Sequence, residues 1–203
     1  MHIDIHYLPS VEYCALLFSQ PSILFEVNEN FPKQTYRNRS YILGANGIEL
    51  LSIPVINSAS GKQLTKDVQI DYSQDWIRRH RGAMQAAYGK APYFEHVYPF
   101  IEQIFAKKSK FLVDLNIQFL NVIARFLQKK PAFSFTESFQ SGCEGSYWNV
   151  IDSKKEYSSR NIYVPVAYRQ CFGTEFVANL SVLDLIMNYG IESREILMKS
   201  LNK

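Results

Sequence analysis

Runs of β-branched and aromatic residues alternate with helix-patterned stretches along the whole chain, and this alternation does most to limit the fold. Interleaved strands and helices favour an α/β arrangement over a helical bundle or a sandwich. Ile3 to Leu8 reads as a strand ended by Pro9, Val11 to Phe18 as a short helix, and Ile23 to Val27 as a second strand. Ser40 to Leu43 and Ile48 to Val55 flank Asn46-Gly47, a pair that supplies the positive φ angles of a type I′ hairpin turn. Gly44 and Ala45 leave its register open by a residue, and Asn57 to Gly61 then reads as a flexible loop. Further strands are expected at Val68 to Tyr72, at Phe133 and Phe135, and at Asn161 to Val166. Helices are expected from Trp76 to Tyr88 (capped by Ser73 or Asp75), Pro99 to Ala106, Phe111 to Lys129, Ser181 to Asn188 and Glu192 to Leu201. Residues 1–203 are thus expected to form a single α/β domain with a mixed sheet, a β-hairpin and flanking helices, for which a Rossmann-like layout is one form. Its softest boundary lies at Ser141 to Arg160.

Composition narrows the function classes. Aromatic residues make up 14% of the chain, with 13 Tyr and 14 Phe, and each phenol needs water or a partner, so a wet aromatic groove is expected. The 22 Lys and Arg against 19 Asp and Glu leave a charge of only +3, which argues against a nucleic-acid partner. Cys14, Cys143 and Cys171 are too few and scattered for a disulfide scaffold or zinc ribbon, and their odd number suits a reducing compartment. The N-terminus lacks a signal-peptide pattern. The apolar stretch Phe111 to Leu127 is broken by Asp114, Asn116, Gln118, Asn121 and Arg125, so no membrane span is expected. A cytoplasmic location follows as the expectation.

Several constellations could carry chemistry. His2, Asp4 and His6 alternate on one strand face, as metal ligands can, although a polar strand edge has the same pattern and no metal is assigned. Cys143, between Gly142 and Gly145, could be an exposed nucleophile or an incidental loop cysteine. Arg78-Arg79-His80-Arg81 suits phosphates or a solvated helix face, and His80 can act as acid or base only if turned inward; His96 shares that choice. Ser181 and Asp184 have capping-box spacing and a structural reading first. Phe31 to Tyr41, with Lys33, Tyr36, Arg37, Asn38 and Arg39, could hold phosphate or carboxylate in its guanidinium groups and stack a base or sugar on its tyrosines.

Four ordered blocks resemble the WbqC-like protein family: Tyr7-Leu8-Pro9 with Tyr13; Phe31, Lys33, Tyr36, Asn38 and Arg39, followed by Ile53-Pro54-Val55; Ala87 to Phe94 around Tyr88-Gly89-Lys90-Ala91-Pro92; and Tyr168, Gln170, Phe172 and Phe176 with Asn179 to Asp184. The opening departs from the family pattern, with Asp4-Ile5 and His6 in place of Gln-Pro and with Glu12 in place of glycine. The resemblance implies a role alongside surface-polysaccharide (O-antigen) genes and transfer of glycine or a similar acyl group to an amino sugar. Such a reaction needs a base, donors for an oxyanion and a clamp for the activated donor. His6 or His80 is expected as base and Asn38 as carbonyl donor. Tyr7, Lys33, Tyr36, Arg39, Tyr88 and Lys90 are expected to bind substrate, for which a nucleotide-sugar is a candidate; the cofactor is unassigned. A nucleotide-binding or nucleotidyltransferase-like protein and a non-enzymatic binding protein are the alternatives.

Overall fold

Three short strands run parallel in a computed structural model of the chain, which describes residues 1–56, 61–141 and 145–202. β1 (His2–Asp4) pairs with β2 (Ser22–Glu26) and β2 with β5 (Ala132–Phe135), so β2 is central. Ile3 lies opposite Phe25, and both are fully buried. The crossover from β1 to β2 is α1 (Val11–Leu17), buried along its whole length and capped by Ser10 Oγ, which accepts from the Tyr13 N–H at 3.3 Å. The strand expected from Ile3 to Leu8 stops at Asp4 because the chain there leaves the sheet. The Tyr7 N–H donates to the Tyr36 carbonyl, and Leu8 takes a φ of +39°, which no strand accommodates.

The hairpin forms from β3 (Arg39–Gly44) and β4 (Gly47–Ser52), and the two strands pair with each other rather than with the parallel sheet. Its register puts Gly44 opposite Gly47, so the turn residues are Ala45 and Asn46. The positive φ falls on Gly47 alone, at +107°, as in a turn closed by a glycine bulge rather than a type I′ turn over Asn46-Gly47. Val68 to Tyr72 and Asn161 to Val166 are not strands; they make the isolated bridges Val55–Ile70, Gln69–Phe111 and Tyr163–Leu201. Their neighbours offer single residues to pair with, not a strand edge. Asn57–Ser60, in the expected flexible loop, lie outside the described residues.

α2 (Trp76–Tyr88) has the expected bounds, but Asp75 at its start pairs with Arg78 instead of capping. α3 (Phe94–Lys107) begins before the expected Pro99, whose missing N–H falls on an exposed face of the helix. α4 (Leu112–Phe126) buries Leu115, Phe119 and Ile123, and α5 (Val182–Tyr189) and α6 (Ser193–Ser200) complete the chain's described helices. The described residues give no helix long and apolar enough to cross a membrane. Only half of the expected capping box at α5 forms. Ser181 Oγ accepts from the Leu183 N–H, while the Asp184 carboxylate turns to Tyr168 and Gln170.

Gly190 ends α5 with φ +53°, and a Cβ there would lie 2.4 Å from the Tyr93 ring. Gly190→Ala is therefore expected to cost about 2–3 kcal/mol through overpacking and backbone strain, read as a lowered urea midpoint at unchanged slope.

Candidate functional site

The carboxyl ends of parallel strands are where open α/β sheets most often bind ligands. Here that end is filled by the chain's own charges. Asp4 closes β1, Glu29 follows β2, and the Arg37 guanidinium lies between them, with all three buried. Arg37 grips Glu29 through two bonds (Nε to Oε1 at 2.5 Å, Nη2 to Oε2 at 2.9 Å) and reaches Asp4 Oδ2 at 3.1 Å and Asn149 Oδ1 at 2.8 Å. Trp148 Nε1 donates to Glu29 at 2.6 Å, and the Asn149 N–H donates to Asp4 at 3.0 Å. Burial alone pushes the Asp4 carboxyl up, but Arg37, then His6 and the Asn149 N–H, outweigh it and hold it well below the usual range. His6, fully buried, places Nε2 2.7 Å from Asp4 Oδ2 and stacks on Tyr13 with ring centroids 4.2 Å apart.

This centre takes up part of the expected site. Tyr36 is half-buried beside His6, at 5.3 Å between centroids. Asn38 donates to the Ile53 carbonyl at 2.9 Å, Arg39 begins β3, and Lys33 stands exposed in the loop. His2 does not join His6 in a metal site: it faces Ser146 at 2.8 Å and Glu26 at 3.4 Å. Among the described residues no three His, Cys, Asp or Glu gather as metal ligands. Cys143 lies outside the described residues. Glu12, where the resemblance expects glycine, is fully buried and held by the Arg160 fork at 2.8 and 2.6 Å and by Asn179 at 3.0 Å.

Tyr7 and His80 meet elsewhere, inside the core. The Tyr7 hydroxyl lies 2.9 Å from His80 Nδ1, and His80 Nε2 lies 3.2 Å from the Ser52 carbonyl. A carbonyl can only accept, so Nε2 carries the proton and Nδ1 accepts from Tyr7; no lone pair is left for a substrate. Burial lowers the His80 pKa to about 4. The unfolded chain therefore binds this proton more readily, and stability is full above about pH 6.5 and falls as pH drops from there through 4. His80 is expected to contribute about 3 kcal/mol to that loss, seen as urea unfolding free energies at pH 7 and pH 4 whose difference shrinks in His80→Gln.

An open pocket lies at the other end of α2. Its volume is about 470 Å³, and Lys90, Pro92, Arg169, Gln170, Cys171, Asn188 and Tyr189 line it. Lys90 and Arg169 are exposed, and neither has an ion-pair partner among the described residues. The other lining groups are held from behind. Gln170 donates to Asp184 Oδ2 at 2.9 Å and to the Val177 carbonyl at 3.0 Å, and it accepts from the Val177 N–H. Asn188 donates to the Asp184 carbonyl at 2.7 Å and accepts from the Cys171 thiol at 3.4 Å, leaving one amide hydrogen unspent. Asp184 is buried with its pKa raised, chiefly by burial, against the hydrogen bonds from Gln170 and Tyr168. Its Oδ1 and the fully buried Tyr88 hydroxyl each lack a formed hydrogen bond. Burial, then Asp184, raises the Cys171 thiol, so it rests protonated.

The aromatic blocks thus divide among the Arg37 centre, the core around Tyr7 and His80, and the Lys90 pocket. Tyr7, Lys33, Tyr36, Asn38 and Arg39 do not reach the Lys90 pocket, whereas Lys90 lines it and Tyr88 and Asp184 lie with the residues behind it. Arg37, one of the guanidinium groups expected to hold a carboxylate, holds those of Asp4 and Glu29, whereas Arg169 and Asn188 are additions that no local motif marked. In the sequence Cys171 is marked only as one of three scattered cysteines.

The sequence profile described as the WbqC-like protein family matches residues 5–164. An uncharacterized protein of Mycobacterium tuberculosis is 21% identical over 222 aligned residues, covering 96% of this chain and 95% of its own length. No solved structure gives a significant match.

Proposed function

Since the chain belongs to the WbqC-like protein family, we propose that it is a transferase of surface-polysaccharide biosynthesis. In this reading it moves a glycyl or similar acyl group to a nucleotide-linked amino sugar. The observation that carries this reading is the meeting of Lys90 and Pro92 with residues 169–171 and 188–189 around one pocket bearing two cations without ion-pair partners among the described residues. Lys90 and Arg169 suit the diphosphate of a nucleotide-linked sugar, and a guanidinium can take two phosphate oxygens at once.

Acyl transfer forms a C–N bond, breaks the bond to the leaving group and releases one amine proton. The free amide hydrogen of Asn188 can donate to the developing oxyanion. The pocket is open, so the amine proton leaves to water there, while Asp184, buried and outside the pocket lining, holds Gln170 in place from behind. His80, with both nitrogens engaged in the core, has no part in this scheme, and His6 belongs to the buried centre with Arg37.

Thermal shifts against nucleotides, nucleotide-linked neutral sugars and nucleotide-linked amino sugars test the assignment. Stabilisation by the amino-sugar conjugates above that given by the free nucleotides is expected. A flat response to the whole panel counts against it.

A further inference from the structure

A second cavity, of about 280 Å³, is lined by residues of α1, α6 and the end of α4, and it shares no lining residue with the Lys90 pocket. Phe18, Leu127, Leu197 and Met198 form its walls above Cys14. Lys129 and Arg194 are its charged groups, and no carboxylate lines it. Neither cation has an ion-pair partner among the described residues. The remaining polar side chain, Ser19, donates its hydroxyl hydrogen to the Leu16 carbonyl at 2.7 Å. Met198 is 60% exposed, an apolar residue left uncovered beside an apolar hole.

Each half of this arrangement excludes a class of ligand. A free inorganic anion would gain nothing from walls of Phe18, Leu127 and Leu197, which offer it no hydrogen bonds. A neutral hydrocarbon would fill the walls but leave the two cations unused. Buried Cys14 has its thiol pKa raised well above normal, so it acts as a small apolar wall and not as an anion. At about 30 Å³ for a water-sized group, the space holds roughly nine groups, the volume of a medium-length chain.

We infer that the cavity between α1 and α6 binds a single-chain acyl carboxylate, with its tail among Phe18, Leu127 and Leu197 and its head group at Lys129 and Arg194. The tail withdraws its own apolar surface from water and covers exposed Met198, and the carboxylate meets two cations that have no ion-pair partner among the described residues. The site stands apart from the transferase reading and does not depend on it.

Titration calorimetry of the full chain with decanoate, decanol and acetate tests this, read beside the methyl ¹³C signal of Met198. Decanoate is expected to bind and to shift the Met198 methyl. Decanol is expected to bind at least tenfold more weakly, and acetate to give no heat. Lys129→Glu with Arg194→Glu is expected to weaken decanoate at least tenfold, and Arg194→Gln alone to fall between, with circular dichroism unchanged in both. Decanol binding as tightly as decanoate overturns the head-group assignment. Decanoate binding without a Met198 shift, or no binding at all, overturns the site.

Discussion

Arg37→Ala is expected to leave the chain unfolded, or close to it, at neutral pH. The guanidinium joins Asp4 and Glu29, both buried like itself, and reaches exposed Asn149 at the edge of the cluster. Removing it strands two buried carboxylates without their counter-charge, a change that typically costs about 3–5 kcal/mol. Whole domains are held by only about 5–15 kcal/mol, so one substitution consumes much of the margin. Arg37→Lys restores a charge without the fork that binds Glu29 twice, and an intermediate loss is expected. Lys33→Ala, in the same loop but exposed, is expected to stay within about 0.5 kcal/mol of the parent. Urea unfolding followed by circular dichroism ranks the three, and an Arg37→Ala midpoint equal to that of Lys33→Ala would contradict the account. The same centre fixes a sign in acid. Asp4 is held below its ordinary pKa, so its contribution is full above about pH 4 and is lost as pH falls from there toward the folded value. His80 acts in a higher window, between about 6.5 and 4. The two effects are therefore separable by pH.

The second large effect concerns binding. Lys90→Glu with Arg169→Glu is expected to lower affinity for a nucleotide-linked amino sugar at least hundredfold, while leaving the unfolding midpoint near that of the parent. Charge-assisted hydrogen bonds contribute about 1.5–3 kcal/mol each, and reversal adds repulsion to their loss. Both side chains are exposed, so the interaction is screened, and the difference between parent and variant is expected to narrow at high salt. Titration calorimetry at two ionic strengths measures both features. Equal affinity of variant and parent would place the anion elsewhere.

Local physics made some of these features readable from the sequence. The helix from Trp76 to Tyr88 lies between Asp75 and Gly89, and Val11 begins just after a serine that can cap. The hairpin was legible from its glycines, but which glycine takes the positive φ depends on register, and the structure puts it at Gly47 one step past the turn. What could not be read was non-local. His6 and Asp4 are two residues apart, yet the group that fixes their charge is Arg37, whose own partners include Asn149. Nothing in the sequence distinguishes Arg37, buried, from Lys33, exposed, in one polar loop. The pocket combines Lys90 with residues about eighty and a hundred positions later, a separation that no motif spacing encodes. The blocks include Tyr88, Lys90 and Gln170, which lie at or behind one pocket, and equally Tyr7, which lies in the core against His80 and Phe119. Aromatic content is a sign of packing at least as much as of binding.

The most direct measurement of the transferase reading is a crystal structure of the full chain soaked with a nucleotide-linked amino sugar. Phosphate density is expected within hydrogen-bonding reach of Lys90 and Arg169, with the sugar's amine on the Gln170 and Asn188 side of the pocket. Density for the same ligand against Lys33 and Arg39, with the Lys90 pocket holding only water, would contradict it.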